Sequence, residues 1–126
     1  MKPAGFHPPR WLRNHHLQSI LPTSRLRRPW VMPRARPLLA ASRPAVLDCG
    51  SGVRLSGYHS RQQDVGRPAA TTLVVLLHGW EGSAQSLYVL ALGSHLFDRG
   101  YDIFRLNFRD HGGSHGRNAR ARLVAC

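Results

Sequence analysis

Residues 71–114 read TTLVVLLHGWEGSAQSLYVLALGSHLFDRGYDIFRLNFRDHGGS, and this stretch sets the expected architecture of the chain. The opening run TTLVVLL is β-branched and apolar, as in an inner strand of a parallel sheet that is covered on both faces. A helix is predicted to begin near Ser83 or Ser86 and to end at Arg99. The run YDIFRLNF is predicted to be a second strand. A strand, a helix and a strand at this spacing make a βαβ unit.

The segment before this unit predicts a β-hairpin over residues 45–59. Ala45–Cys49 is a short strand, and the Gly-Ser-Gly sequence of residues 50–52 is a tight turn that tolerates positive φ. Residues 53–58 then alternate between apolar and polar side chains, the period of a half-exposed strand. Residues 60–70 are predicted to be a polar loop. The fold class is therefore α/β, with a hairpin and one βαβ unit of a mostly parallel sheet.

Residues 1–44 form a basic, proline-rich segment that we call the arm. It holds eight of the nine prolines of the chain, and these are expected to break any long helix or central strand. Its large apolar groups include Trp11 and Trp30, and the arm is predicted to lie on the domain and to be ordered by its aromatic residues. A short helix is predicted between Trp11 and Leu21.

The net charge of +12 is concentrated near the two ends of the chain. Residues 1–43 carry nine basic residues and no acid, whereas residues 70–116 have a net charge of −1. We therefore divide the chain into the arm, a domain over residues 45–116 and an irregular basic tail over residues 117–126. A net charge of this size makes nucleic acid and anionic lipid surfaces candidate partners. No known nucleic-acid-binding motif supports specific recognition.

Several function classes are disfavoured by the sequence. No apolar run approaches the roughly 18–20 residues of a membrane span, and the N-terminus lacks the apolar region of a signal peptide. Cys49 and Cys126 do not make a disulfide framework, which predicts a reduced, cytoplasmic chain. The histidines lack metal-ligand spacing, and neither a metal nor another cofactor is expected.

The first candidate site is the turn HGWEGS, which follows the first strand of the βαβ unit. Acyl-transfer chemistry needs backbone N–H groups aimed at a developing oxyanion, and a glycine lets the backbone approach a substrate closely. The backbone N–H of Trp80 is the candidate donor, beside Gly79. His78 is predicted to bond the loop rather than to act as a base. The plain alternative is a strand-to-helix turn that uses glycine for its geometry.

Three separated stretches resemble the YheT-like branch of the α/β-hydrolase superfamily. The stretch FHPPRWLRNHHLQSILPT (residues 6–23) looks like the N-terminal signature of that branch. LVVLLHGWEGS (residues 73–83) and YDIFRLNFRDHGGS (residues 101–114) resemble the third and fourth strands of the fold with their loops. Asp110 stands where the second of these loops more often has glycine. The resemblance covers roughly residues 6–115.

This resemblance implies a serine hydrolase that cleaves acyl esters of a small molecule or a lipid. Such an enzyme uses Ser, His and an acid on strand-end loops, and the family needs a longer chain to supply them. The chain is therefore predicted to be an inactive N-terminal fragment from an incomplete or frameshifted gene. Without a fifth strand, the first strand of the βαβ unit would present an apolar edge that invites self-association.

Residues 112–116 satisfy the G-x-S-x-G pattern literally, which makes Ser114 the candidate nucleophile within the chain. A glycine loop is the preferred interpretation, because this loop comes one βα unit too early and residues 109–111 separate it from the strand. His95 and His111 lack the chain-order position of the catalytic base.

Three alternatives to an inactive fragment remain open. The chain could be a half-fold completed by a protein partner, a basic nucleic-acid-binding protein, or a small esterase that uses Ser114. The basic arm could also make peripheral membrane contact. Six arginines of the arm are the candidate phosphate ligands: Arg25, Arg27, Arg28, Arg34, Arg36 and Arg43.

Overall fold

The structure is a computed structural model that describes residues 9–21 and 24–108. It contains three α-helices and four β-strands in these residues, together with short 3₁₀ turns. The helices are α1 (His15–Ile20), α2 (Arg28–Ala40) and α3 (Leu87–Phe97). The strands are β1 (Ser42–Asp48), β2 (Arg54–Ser60), β3 (Leu73–Leu77) and β4 (Asp102–Leu106).

The four strands form one open mixed sheet in the order β1-β2-β4-β3. The hairpin β1–β2 is antiparallel, as predicted, and its turn has positive φ at Gly50, Ser51 and Gly52. β3 pairs with β4 in parallel, with α3 between them in the chain, which confirms the βαβ unit. The expectation of a mostly parallel sheet is wrong for the described residues, because β2 joins β4 in the antiparallel direction.

Strand β3 lies at the edge of the sheet and pairs, among the described residues, with β4 alone. Val74 and Leu76 pack into the core, while Leu73, Val75 and Leu77 on the other face are about half exposed. The predicted burial of both faces is therefore wrong for the residues described, although the predicted apolar edge is present.

The core lies between this sheet and the helix pair α2 and α3. Gly93 of α3 permits the close approach, since a Cβ atom there would stand 3.1 Å from Leu38 Cδ2 and 3.3 Å from Leu76 Cδ1. Burial of aliphatic and aromatic side chains is the main stabilising term in such a core. Its buried members are Val31, Ala35, Leu38, Ala41, Leu76, Val89, Leu90, Phe97 and Ile103.

The arm contains a 13-residue helix, α2, which contradicts the expectation that its prolines would break any long helix. Pro29 lies in the first turn, where a backbone N–H has no partner within the helix. Pro33 and Pro37 follow at intervals of four residues, so all three share one side of the helix. That side is exposed or partly exposed, whereas the core side carries Val31 and Leu38. Packing of the core side outweighs the hydrogen bonds that the prolines remove.

The described part of the arm is anchored by aliphatic rather than aromatic side chains. Trp11 is 63% exposed and Trp30 is 68% exposed, so the expected ordering by tryptophan is wrong. The predicted short helix before residue 21 is present as α1, whose N-cap residue Asn14 accepts a hydrogen bond from the His16 N–H. No helix in the described part of the chain is long and apolar enough to cross a membrane.

Candidate oxyanion loop

The loop between β3 and α3 begins with a tight turn over residues 79–82. The Gly82 N–H donates to the Gly79 carbonyl at 3.0 Å, and Trp80 and Glu81 occupy the two corners. Glu81 has a φ of 58°, which matches the positive φ at the third position of a type II turn. A non-glycine residue in this region is strained by about 1 kcal/mol. Such strain is often found at functional sites.

Close packing around Gly82 fixes the path of this turn. A Cβ atom on Gly82 would stand 2.6 Å from the Tyr88 hydroxyl and 3.0 Å from the Gly79 carbonyl oxygen. The same hydroxyl accepts a hydrogen bond from the Gly79 N–H at 2.7 Å. The first turn of α3 therefore holds the glycine backbone of the loop in place.

The Trp80 N–H, the donor predicted from the sequence, is open. No described residue accepts a hydrogen bond from it, in contrast to the N–H groups of Gly79 and Gly82. The indole of Trp80 is 87% exposed. A ligand that reaches the end of β3 can therefore bind this N–H without displacing a described protein contact.

His78 is buried and joins the ends of the two parallel strands. Its Nε2 atom accepts a hydrogen bond from the Phe108 N–H at 3.0 Å. Because a backbone N–H can only donate, the proton of the neutral ring lies on Nδ1, which donates to the Gly79 carbonyl at 2.8 Å. Both ring nitrogens are thus engaged by backbone groups, and the ring packs edge-on against Phe108.

Replacement of His78 by phenylalanine is expected to destabilise the chain by about 2 kcal/mol, because two part-buried hydrogen bonds, to the Phe108 N–H and to the Gly79 carbonyl, are lost. Urea denaturation measures the loss, and amide exchange should quicken at Phe108. The matched control is His95→Phe on the exposed side of α3, which should change stability by less than about 0.5 kcal/mol. Equal effects of the two variants would contradict the linking role of His78.

Arg105 of β4 and Asn107, which directly follows β4, hold the middle of the loop. The Asn107 Oδ1 atom accepts a hydrogen bond from the Ala84 N–H at 2.7 Å. The Arg105 Nη1 atom donates to the Ala84 carbonyl at 2.9 Å, and its Nη2 atom donates to Ser42 Oγ at 2.7 Å. Ala84 is therefore bonded through both of its backbone polar groups.

Arg105 is fully buried, and no described carboxylate lies within salt-bridge distance of it. Burial lowers the pKa of the guanidinium below its ordinary value, and the nearby Tyr58 opposes this effect. The Tyr58 ring lies 5.2 Å from the Arg105 Cζ atom, a cation–π contact. No role was predicted for Arg105 from the sequence. Its spacing of two from Ile103 was the available signal, because alternate residues of a strand share a face.

The described residues place no other sequence candidate at this loop. Ser114 and His111 lie outside the described residues, as do Asp110 and the basic tail. His95 lies on α3 with its side chain exposed and bonded to Arg99. Among residues 9–21 and 24–108, no group of three histidines, cysteines or acids could hold a metal ion.

A cleft of about 680 Å³ lies beside the loop. Arg25, Arg28 and Met32 line it from the arm, and Trp80, Glu81 and Gly82 line it from the turn. The open N–H donor of Trp80 therefore belongs to a residue at the wall of a cavity.

Comparisons with known proteins give no match to a family model and no significant match to a curated protein or a solved structure. The resemblance of residues 6–115 to YheT-like hydrolases thus stays a prediction. The geometry of the loop carries the functional argument.

Proposed function

We propose that this chain supplies the oxyanion-binding part of a serine hydrolase of the α/β-hydrolase fold that cleaves acyl esters. The open N–H of Trp80 at the carboxyl end of β3 carries the proposal. Ligands of open α/β sheets bind at the carboxyl ends of the strands. In acyl transfer this N–H donates to the carbonyl oxygen of the ester as that oxygen gains negative charge.

The rigidity of the loop supports this role. Tyr88 holds Gly79, Asn107 holds Ala84, and His78 ties the loop to the end of β4. A donor that is already in position needs no rearrangement when charge develops in the transition state. The anchors are Tyr88 in the first turn of α3 and the residues that directly follow β3 and β4, His78 and Asn107.

The remaining machinery is assigned to residues beyond those described. In the resembled family a serine attacks the ester, a histidine takes its proton, and an acid orients the histidine. This chemistry uses neither a metal nor another cofactor. We propose that the chain is the N-terminal part of such an enzyme.

The first test is to sequence the gene and to translate the DNA beyond the Cys126 codon in all three frames. The proposal expects an apolar strand, a G-x-S-x-G elbow after it, and a later acid and histidine. The protein from that complete coding region should react with a fluorophosphonate probe. Absence of these features in every frame, with no labelling of the chain, would overturn the proposal. Labelling of the 126-residue chain that Ser114→Ala abolishes would instead identify Ser114 as the nucleophile.

In the complete enzyme, Trp80→Pro is expected to lower kcat about 100- to 1000-fold, because proline removes the N–H donor. Proline is well tolerated at the second position of a type II turn, so the loop is expected to keep its path. Trp80→Ala is the matched control, since it removes the indole and keeps the N–H. Turnover of a p-nitrophenyl ester measures both variants. Equal kcat values for proline and alanine would show that this N–H does not stabilise the oxyanion.

A further inference from the structure

The cleft beside the oxyanion loop has an uneven distribution of charge. Arg25 and Arg28 line it on the arm side, and Glu81 lines it on the side of the turn. Both arginines are exposed, and no described carboxylate lies within salt-bridge distance of either guanidinium. The arm side of the cleft therefore attracts an anion, while the side of the turn repels one.

Apolar groups also line the cleft. Met32 and Leu39 of α2 and Leu87 and Leu90 of α3 line the cleft, and Leu90 is buried. Arg25 lies in the 3₁₀ turn directly before α2, and Arg28 and Met32 are four residues apart in α2, the spacing of neighbours on one side of a helix. An anion held by the arginines would therefore have an apolar surface directly beside it.

The apolar surface extends along α2. An adjoining hollow of about 630 Å³ shares Arg25, Arg28, Met32 and Leu39 with the cleft, and it adds Arg36 and the exposed prolines. The combined surface joins cationic groups to a continuous apolar floor. This combination fits a molecule with an anionic group and a hydrocarbon chain, whereas a purely polar anion would gain nothing from the apolar surface.

We propose that the cleft binds anionic amphiphiles, which makes the substrate class an acyl ester that also bears a phosphate or a carboxylate. The guanidinium groups of Arg25 and Arg28 hold the anion, since arginine pairs with both groups through parallel hydrogen bonds. The hydrocarbon chain lies on Met32, Leu39 and Leu90. The part of this proposal that concerns a substrate rests on the proposed function, whereas binding itself does not.

The test is calorimetric titration of the full chain with octyl phosphate and with octanoate, both as monomers. Neutral octyl glucoside carries the hydrocarbon chain without the charge, and inorganic phosphate carries the charge without a hydrocarbon chain. We expect the double variant Arg25→Gln/Arg28→Gln to weaken octyl phosphate binding at least about tenfold. The matched control Arg10→Gln/Arg13→Gln removes the same charge outside the cleft and should change binding by less than about twofold.

Three results would overturn the proposal. Equal weakening by the two double variants would show a general charge effect. If inorganic phosphate or octyl glucoside binds as tightly as octyl phosphate, the cleft does not require both an anionic group and a hydrocarbon chain. Binding to phosphatidylglycerol vesicles with none to the monomers would assign the arginines to a lipid surface. Because these titrations need no turnover, failure of Trp80→Pro to lower kcat would overturn the proposed function and leave the binding result intact.

Discussion

Replacing Gly57 with valine is expected to lower the free energy of unfolding by more than about 3 kcal/mol. Gly57 lies in the middle of β2, opposite Ala45 on one side and Leu106 on the other. A Cβ atom there would stand 2.7 Å from Phe104 Cε1 and 2.8 Å from the Arg105 carbonyl oxygen. The second contact is to backbone of the neighbouring strand, which cannot move away without breaking the β2–β4 ladder.

The magnitude follows from the packing of the sheet. Overpacking in a core costs about 1–3 kcal/mol where side chains can adjust, so a clash with backbone should exceed about 3 kcal/mol. Urea denaturation followed by circular dichroism measures the loss. Arg54→Val is the matched control, because it introduces the same side chain at the exposed beginning of β2. A Gly57→Val chain with the urea midpoint of the parent would show that β2 is not packed against β4 as described.

Replacing Arg105 is expected to destabilise the chain by an amount that depends on the charge of its replacement. Arg105→Met leaves the buried Ala84 carbonyl without a donor, and it also removes a desolvated charge. The first effect is worth about 1–3 kcal/mol and is partly offset by the second. A net loss of about 1–2 kcal/mol is expected in urea, and amide exchange at Ala84 should quicken.

Arg105→Lys should be less stable than Arg105→Met at neutral pH. Lysine keeps the buried charge, which has no described carboxylate partner, and it lacks the fork that reaches both Ala84 and Ser42. Desolvation lowers the pKa of the Arg105 guanidinium and should act in the same direction on a lysine at this position. The unfolded chain then binds more protons than the folded chain, so stability should rise with pH up to about 10.4. Parallel stability–pH curves for the lysine variant and the parent would contradict this account.

Local patterns predicted the order of elements well. The alternation before Ser60, the apolar run at β3 and the end signals of α3 are each contained within a few residues, and each gave the expected element. Helix α2 was not predicted, because the expectation that proline breaks a helix rests on the lost hydrogen bonds alone. It takes no account of the side of the helix on which the prolines lie. Pro33 and Pro37 are tolerated because Ala35 and Leu38 dock on α3 and the sheet, a partner far along the chain.

The candidate site was predicted as a list of residues and not as a connected structure. Trp80, Gly79 and His78 could be named from the motif. The contacts that fix them join positions 23 and 30 residues apart, Ala84 to Asn107 and His78 to Phe108. Such pairs leave no periodic signal in a single sequence. The exposure of Trp11 and Trp30 was unpredictable for a similar reason, because it depends on which side of the arm finds a partner.

The docking of α2 also has a consequence for synthesis on the ribosome. Ala35 and Leu38 are made early, but Val89, Leu90 and Phe97, which share the core with them, follow about fifty residues later. At a synthesis rate of about 5–20 residues per second, the arm waits several seconds for these partners. During that interval the nascent segment has little helicity of its own, because its prolines remove backbone N–H donors from the helix. The first third of the chain should therefore be unfolded and accessible to chaperones during synthesis, until α3 emerges and packs against it.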